Sequence, residues 1–318
     1  MPIETTPHMI LIYAAIFCYA FSFIALMSNT LSSGVARLMR CKQSVLALSI
    51  NRRLAALLYL MGFLSVVAAF AVRWKNLGHI PLRGMFDTFL AMSAAIYPLT
   101  YLCRRLGARG EAFDRLLGVA MLVPAALVFP DTLPKLPPAL DSFLFMPHAA
   151  TYLLGYIVMA KAAVNAVCFL VSGKPRPRQV LACTPEGWVE SPIEKVPQNP
   201  EAGTASKMPK LLSEAQWCEL ELPVYRLVCL GFPLLTAGLL LGSWWGQLAW
   251  GTYWGWDPKE VWSLATWLIF VLYFHLRYGW PGRVRLRAIV VVLGFVAILC
   301  TMLLVNLTRL FSSIHSYA

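Results

Sequence analysis

Apolar runs about as long as a bilayer is thick recur along the whole of this 318-residue chain. That pattern restricts its folds more than any other feature. A run of roughly 18 or more apolar residues reads as a membrane-spanning helix. Eight such spans are expected, at 9–32, 53–73, 85–103, 113–130, 148–172, 223–246, 261–278 and 287–311. Composition agrees: 59% of the residues are hydrophobic and 13% charged, against about 25% charged in soluble domains. The expected fold is an all-α, polytopic membrane helix bundle.

The net charge of +12 does not signal nucleic acid, because the basic residues are scattered through short loops between spans. Loops after the odd-numbered spans carry 20 Lys and Arg, including Arg37, Arg40, Lys42, Arg104, Arg105, Arg283, Arg285 and Arg287. The opposite side carries 6, namely Arg73, Lys75, Arg83, Lys135, Lys259 and Arg309, and Lys161 lies within a span. The positive-inside rule then puts both termini on the outer, periplasmic side. No Lys or Arg precedes the first apolar run, so a cleavable signal peptide is not expected there.

Residues 173–222 contain Pro175, Pro177, Pro185, Pro192, Pro197, Pro200 and Pro209 and few large apolar residues. They read as a flexible cytoplasmic loop. It divides the chain into helices 1–5 (1–172) and helices 6–8 (223–318). The eight Cys form no C-x-x-C and no C-x-x-C-H, which argues against a thiol redox motif or covalent haem on this chain.

Of the 11 Trp, six fall between Trp244 and Trp262, in the outer loop joining spans 6 and 7. Such residues also gather as interfacial belts, but a belt spreads over all spans and this cluster sits in one loop. Gly246, Gly251 and Gly255 punctuate it. Asp257-Pro258-Lys259-Glu260 then supplies an N-cap, a proline at the first helical position and a reciprocal capping carboxylate. On this topology His148 and His315 stand at span ends on the same membrane face as the Trp cluster. Imidazole is an axial ligand of haem iron and indole gives a flat apolar platform. Two His beside a Trp-rich loop therefore make a candidate haem site.

His275 lies 13 residues past Trp262, about 20 Å further along a helix, and so belongs to a second, inner location. Lys161 follows His148 at the same spacing. Ionisable groups inside spans are functional candidates by default, although packing accounts for such a His and snorkelling for such a Lys. Lys161 is a candidate contact for a haem propionate at an inner site ligated by His275.

The segment Trp250-Gly251-Thr252-Tyr253-Trp254-Gly255-Trp256-Asp257-Pro258-Lys259-Glu260, with Tyr273-Phe274-His275-Leu276-Arg277, resembles the tryptophan-rich WWD signature of the CcsA/ResC family. These are the system II cytochrome c biogenesis proteins. His148-Ala149-Ala150-Thr151-Tyr152 and His315-Ser316-Tyr317 resemble that family's outer His segments. The resemblance implies a bacterial inner-membrane protein that handles haem b with a CcsB/ResB partner. Haem would be carried outward and joined to the C-x-x-C-H motif of apocytochrome c, a holocytochrome c synthase type of activity. A thiol reductant protein is a further candidate partner. The resemblance makes His148 and His315 the outer axial ligands and His275 an inner ligand whose second His comes from the partner. Trp250, Trp254, Trp256 and Asp257 become the haem-presenting surface.

The segment 78–89, with His79, departs from the family pattern: Gly84, Phe86 and Asp87 stand where Asn and Tyr-Glu are usual. The CcmC and CcmF branches share the Trp-rich loop without the Asp-Pro-Lys-Glu continuation. A bis-His electron-transfer subunit would want His pairs at matched depths, and only His275 lies within a span.

Overall fold

The computed structural model describes residues 6–38, 45–129 except 83 and 109, 131, 142–172, 182–184, 187–189 and 208–304. Among these residues the chain forms eight α-helices: α1 (Pro7–Leu38), α2 (Val45–Leu77), α3 (Met85–Arg105), α4 (Glu111–Leu127), α5 (Phe145–Ser172), α6 (Met208–Trp250), α7 (Pro258–Gly279) and α8 (Val284–Leu299). A π-helical turn, Cys300–Leu304, continues α8. Six of these helices contain segments long and apolar enough to cross a membrane, and α3 and α4 do not.

α3 and α4 fall outside that set for a physical reason. α4 has only 17 residues, and the two helices carry Asp87, Asp114 and Arg115, all buried. Each charge is met inside the protein. Arg73 of α2 pairs with Asp87, and Lys161 of α5 pairs with Asp114. Arg115 donates from Nε to Ser22 Oγ at 2.8 Å and lies over the Tyr59 ring. Buried ions persist only when paired and hydrogen-bonded in this way.

Further corrections concern the segment between α5 and α6 and the loop cations. α6 begins at Met208, so the connecting segment read as a loop to residue 222 is helical over its last part. Residues 182–184 and 187–189 pair as a short antiparallel ribbon. Arg73, Arg115 and Arg287, counted with the loop cations, are buried at 4%, 4% and 1% exposure, which removes two from the more basic side and one from the other and leaves the asymmetry intact.

The helices pack around two main cores. One joins α1, α2, α3 and α4 around Tyr19, Tyr59, Phe86 and Leu122. The other joins α5 to α8 around Val158, Leu227, Phe270, Tyr273 and Val291. Helices in lipid gain no hydrophobic drive towards each other, so they associate through close packing at small residues. A Cβ on Gly62 of α2 or Gly118 of α4 would lie 2.5 or 2.7 Å from the Tyr19 ring. Gly294 of α8 receives Phe270 of α7 in the same manner.

At one end of the second core Glu221 of α6, fully buried, ties three helices together. It accepts from Arg287 Nε of α8 at 2.7 Å and from Arg277 Nη1 of α7 at 3.0 Å, and Tyr273 donates to it at 3.2 Å. The other end of that core holds the candidate site.

Candidate functional site

α6 carries Gly231, Gly238 and Gly242 towards α5. Met159, Tyr152 and His148 of α5 rest on them in turn, and a Cβ on Gly238 or Gly242 would lie 2.7 or 2.5 Å from the Tyr152 or His148 ring. His148 is thereby fixed from several sides. Its ring stacks on Trp245 with centroids 5.7 Å apart and meets Tyr152 edge-on at 5.1 Å. Its Nδ1 lies 2.9 Å from the carbonyl oxygen of Gly238. A carbonyl can only accept, so Nδ1 carries the proton and the ring's lone pair sits on Nε2. Metal-ligating imidazoles are oriented by this same device.

The Trp-rich segment straddles the end of α6, a turn and the start of α7. Trp245 is buried, and Trp250 meets it edge-on at 4.8 Å. The chain then reverses through Gly251, at φ 77°. Ser243 of α6 holds the turn by donating to the carbonyl of Tyr253 at 2.8 Å. Trp254 is half-buried and meets Trp256 at 6.0 Å with the rings nearly perpendicular. Trp256 is 71% exposed and has φ 57°, a left-handed conformation uncommon for a bulky residue. The surrounding loop holds this backbone and the indole projects outward.

The cap read from the sequence is present. Asp257 accepts from Lys259 N at 3.3 Å, and Glu260 Oε2 reaches back to Asp257 N at 3.2 Å and Gly255 N at 2.8 Å. Glu260 thus closes a capping box and pins the aromatic turn as well. Asp257→Ala is expected to cost about 1 kcal/mol, measurable as a lower thermal midpoint of the full chain in detergent.

These elements enclose a cavity of about 250 Å³. His148, Tyr152 and Tyr156 of α5, Trp245 of α6, Trp254 of the turn and Lys259 of α7 all line it. So do Leu82, Gly84, Met85 and Thr88 from the start of α3, and Thr301 and Met302 from the π-helical turn. The segment whose role the sequence left open therefore forms one wall of the site. Its Asp87 faces elsewhere, paired with Arg73, whose guanidinium lies 4.4 Å from the Phe86 ring centroid. His79 Nδ1 bonds the Ile80 carbonyl at 3.2 Å.

The expected site residues divide as follows. His148 and Trp254 share the cavity, and Trp250 supports it through Trp245. Trp256 stands at the surface and Asp257 is the helix cap. His315 lies outside the described residues. His275 is exposed on α7, and its Nδ1 bonds the Val271 carbonyl at 2.9 Å. This bond again assigns the lone pair to Nε2. Lys161 is buried at 6% exposure in its pair with Asp114, in place of snorkelling.

Tyr152, Tyr156 and the Gly238–Gly242 seat were not anticipated. The sequence did hold a signal for the seat: Gly238-Leu239-Leu240-Leu241-Gly242 is a G-x-x-x-G motif in an apolar run.

Fold and site together define a multi-pass helical membrane protein with an aromatic, imidazole-bearing cavity where several helix ends meet. Residues 52–312 match the family model described as "Cytochrome C assembly protein". The chain is 30% identical to the cytochrome c biogenesis protein CcsA of Porphyra purpurea, over 83% of this chain and 87% of the relative. It is 32% identical to the CcsA of Microcystis aeruginosa, over 80% and 84%. For the CcsA of Gloeobacter violaceus the values are 29%, 81% and 84%. The chain belongs to the CcsA family of cytochrome c assembly proteins.

Proposed function

We propose that this chain holds haem as a substrate in the His148 cavity and presents it to apocytochrome c. The observation that carries this reading is the state of His148. Its tautomer is fixed by the Gly238 carbonyl, its plane by Trp245, and it lines one cavity with Trp254. An imidazole with an oriented Nε2 lone pair in an aromatic cavity fits axial ligation of haem iron. At about 250 Å³ the cavity is smaller than the roughly 300–1,000 Å³ of sites that enclose a ligand. A porphyrin there keeps an edge outside, as presentation to a protein requires.

In this reading His315 supplies the second axial ligand, and Trp250, Trp254 and Trp256 flank the porphyrin plane. The charge asymmetry of the loops supports a site on the outer face, and the membrane in this reading is a bacterial inner membrane. His275, exposed on the flank of α7, contributes one ligand to an inner site, and a CcsB/ResB-type partner contributes the other. In this reading the connection between α5 and α6 lies on the cytoplasmic side. Lys161 is paired with Asp114, so a propionate at the inner site would compete with that carboxylate for its ammonium.

Thioether formation adds a Cys S–H across a haem vinyl group. The sulfur bonds one vinyl carbon and the hydrogen goes to the other, with no net redox change. The chain needs no nucleophile for this; its part is to fix iron, plane and edge so that thiol and vinyl meet in a reactive geometry.

His148→Ala is expected to remove the low-spin absorption of haem bound at this site in the full chain purified with its partner. Added imidazole, filling the space vacated by the ring, should restore part of it. A spectrum unchanged by the substitution would exclude His148 as a ligand.

A further inference from the structure

We propose that Lys259 binds one haem propionate and so fixes which edge of the porphyrin faces out of the His148 cavity. The inference rests on the haem reading above and deepens it.

The cavity wall is mostly aromatic and aliphatic. Among the described lining residues the charged side chains are Lys259 and Glu260. Glu260 is committed to the backbone, since its Oε2 accepts from Gly255 N and Asp257 N. Lys259, whose ammonium also feels the nearby Asp257 carboxylate, is the cationic side chain among the described residues of this wall, and an ammonium has three donors to share. Haem brings two carboxylates, and burying either against apolar walls without a counter-charge is unfavourable. A charge-assisted bond from an ammonium meets that need.

The placement of Lys259 suits it to orient a ligand. It is the second residue of α7, directly after Pro258, and its backbone N–H is held by the Asp257 carboxylate at 3.3 Å. The stem of the side chain therefore starts from a capped helix end and not from the turn. His148 comes from a different helix, α5. One anchor at the iron leaves a porphyrin free to rotate in its own plane. A second anchor at a propionate removes that freedom. In haem the vinyl groups lie across the ring from the propionates. Holding a propionate at Lys259 sets the rotation of the ring and so where the vinyl edge lies when thiols arrive.

The test compares two ligands that differ only at the carboxylates: haem and its dimethyl ester, whose vinyl groups are intact. Binding of each to the full chain with its partner is followed by the axial-ligand absorption bands. The wild-type protein is expected to prefer haem over the ester by at least about tenfold, the scale of one hydrogen bond to a charged group. Lys259→Met should abolish the preference, and Lys259→Arg should keep most of it. Equal weakening of both ligands by Lys259→Met, or a preference that survives it, would overturn the assignment while leaving the His148 site standing. If His148→Ala changes binding of neither ligand, the site itself is wrong and the assignment falls with it.

Discussion

Gly242→Ala is expected to weaken haem binding at the His148 cavity by about 10- to 100-fold, the range seen when the partner orienting a metal-ligating His is lost. The added Cβ would stand 2.5 Å from Cε1 and 2.7 Å from Nδ1 of the imidazole. The ring has nowhere to retreat, because Trp245 stacks against it and Tyr152 closes a further side. It must swing out of its seat, and with it goes the bond from Nδ1 to the Gly238 carbonyl that sets the tautomer. The strain is local, and overpacking of this kind costs about 1–3 kcal/mol. The full chain should therefore still insert and fold. Titration of the full chain and partner with haem, followed at the axial-ligand bands, reads the affinity. Gly279→Ala is the control, since a Cβ there meets nothing within 4 Å, and it should leave the spectrum untouched. A Gly242→Ala protein that binds haem as the wild type does would show that the seat does not position the imidazole.

The second large effect is expected at the far end of the same helices. Glu221→Gln removes the carboxylate that neutralises Arg287 and Arg277 while keeping the side chain's shape. Arg287 is 1% exposed, and without the carboxylate it keeps two neutral acceptors, the Trp280 carbonyl at 3.2 Å and the Pro281 carbonyl at 2.6 Å. A guanidinium stranded in this way costs about 3–5 kcal/mol, a large part of the stability of a domain. The variant should show a sharply lower thermal midpoint in detergent. Replacing both residues, as Glu221→Gln with Arg287→Met, should recover part of the loss because no buried charge is left alone. Arg277→Met alone should cost less, because Arg277 is partly exposed and stacks on Tyr225, 3.7 Å from its ring centroid. If the double variant were no more stable than Glu221→Gln, the stranded charge would not be the cause.

Much of the fold was legible because the bilayer imposes a simple code. Apolar runs must become helices in lipid, and α1, α2, α5 and α7 follow from their length and hydropathy. The start of α7 was legible for a different reason. Capping is local chemistry, and Asp257-Pro258-Lys259-Glu260 contains every group the capping box uses. The extension of α6 back to Met208 was not legible, because Pro209 and the polar residues after it read as loop.

The ion pairs were hidden by distance along the chain. Asp114 meets Lys161 from 47 residues away, and Glu221 meets Arg287 from 66. Sequence spacing carries no information about such meetings, so Arg73 and Arg287 read as loop cations and Lys161 as a lone intramembrane cation. The wall contributed by Gly84, Met85 and Thr88 was hidden in the same way.

What is local or set by the solvent could be read along the chain: a multi-pass helical protein, a tryptophan-rich turn with a capped helix after it, and the histidines available to that end of the bundle. Tertiary structure decided how those pieces act together. It seated His148 on Gly242 and against Trp245, and set its Nδ1–H to donate to the Gly238 carbonyl. It also brought the start of α3 and the Lys259 ammonium to the same cavity. The tautomer of an imidazole, the partner of a buried charge and the shape of a cavity depend on atoms supplied by other helices. Only packing brings those atoms into range.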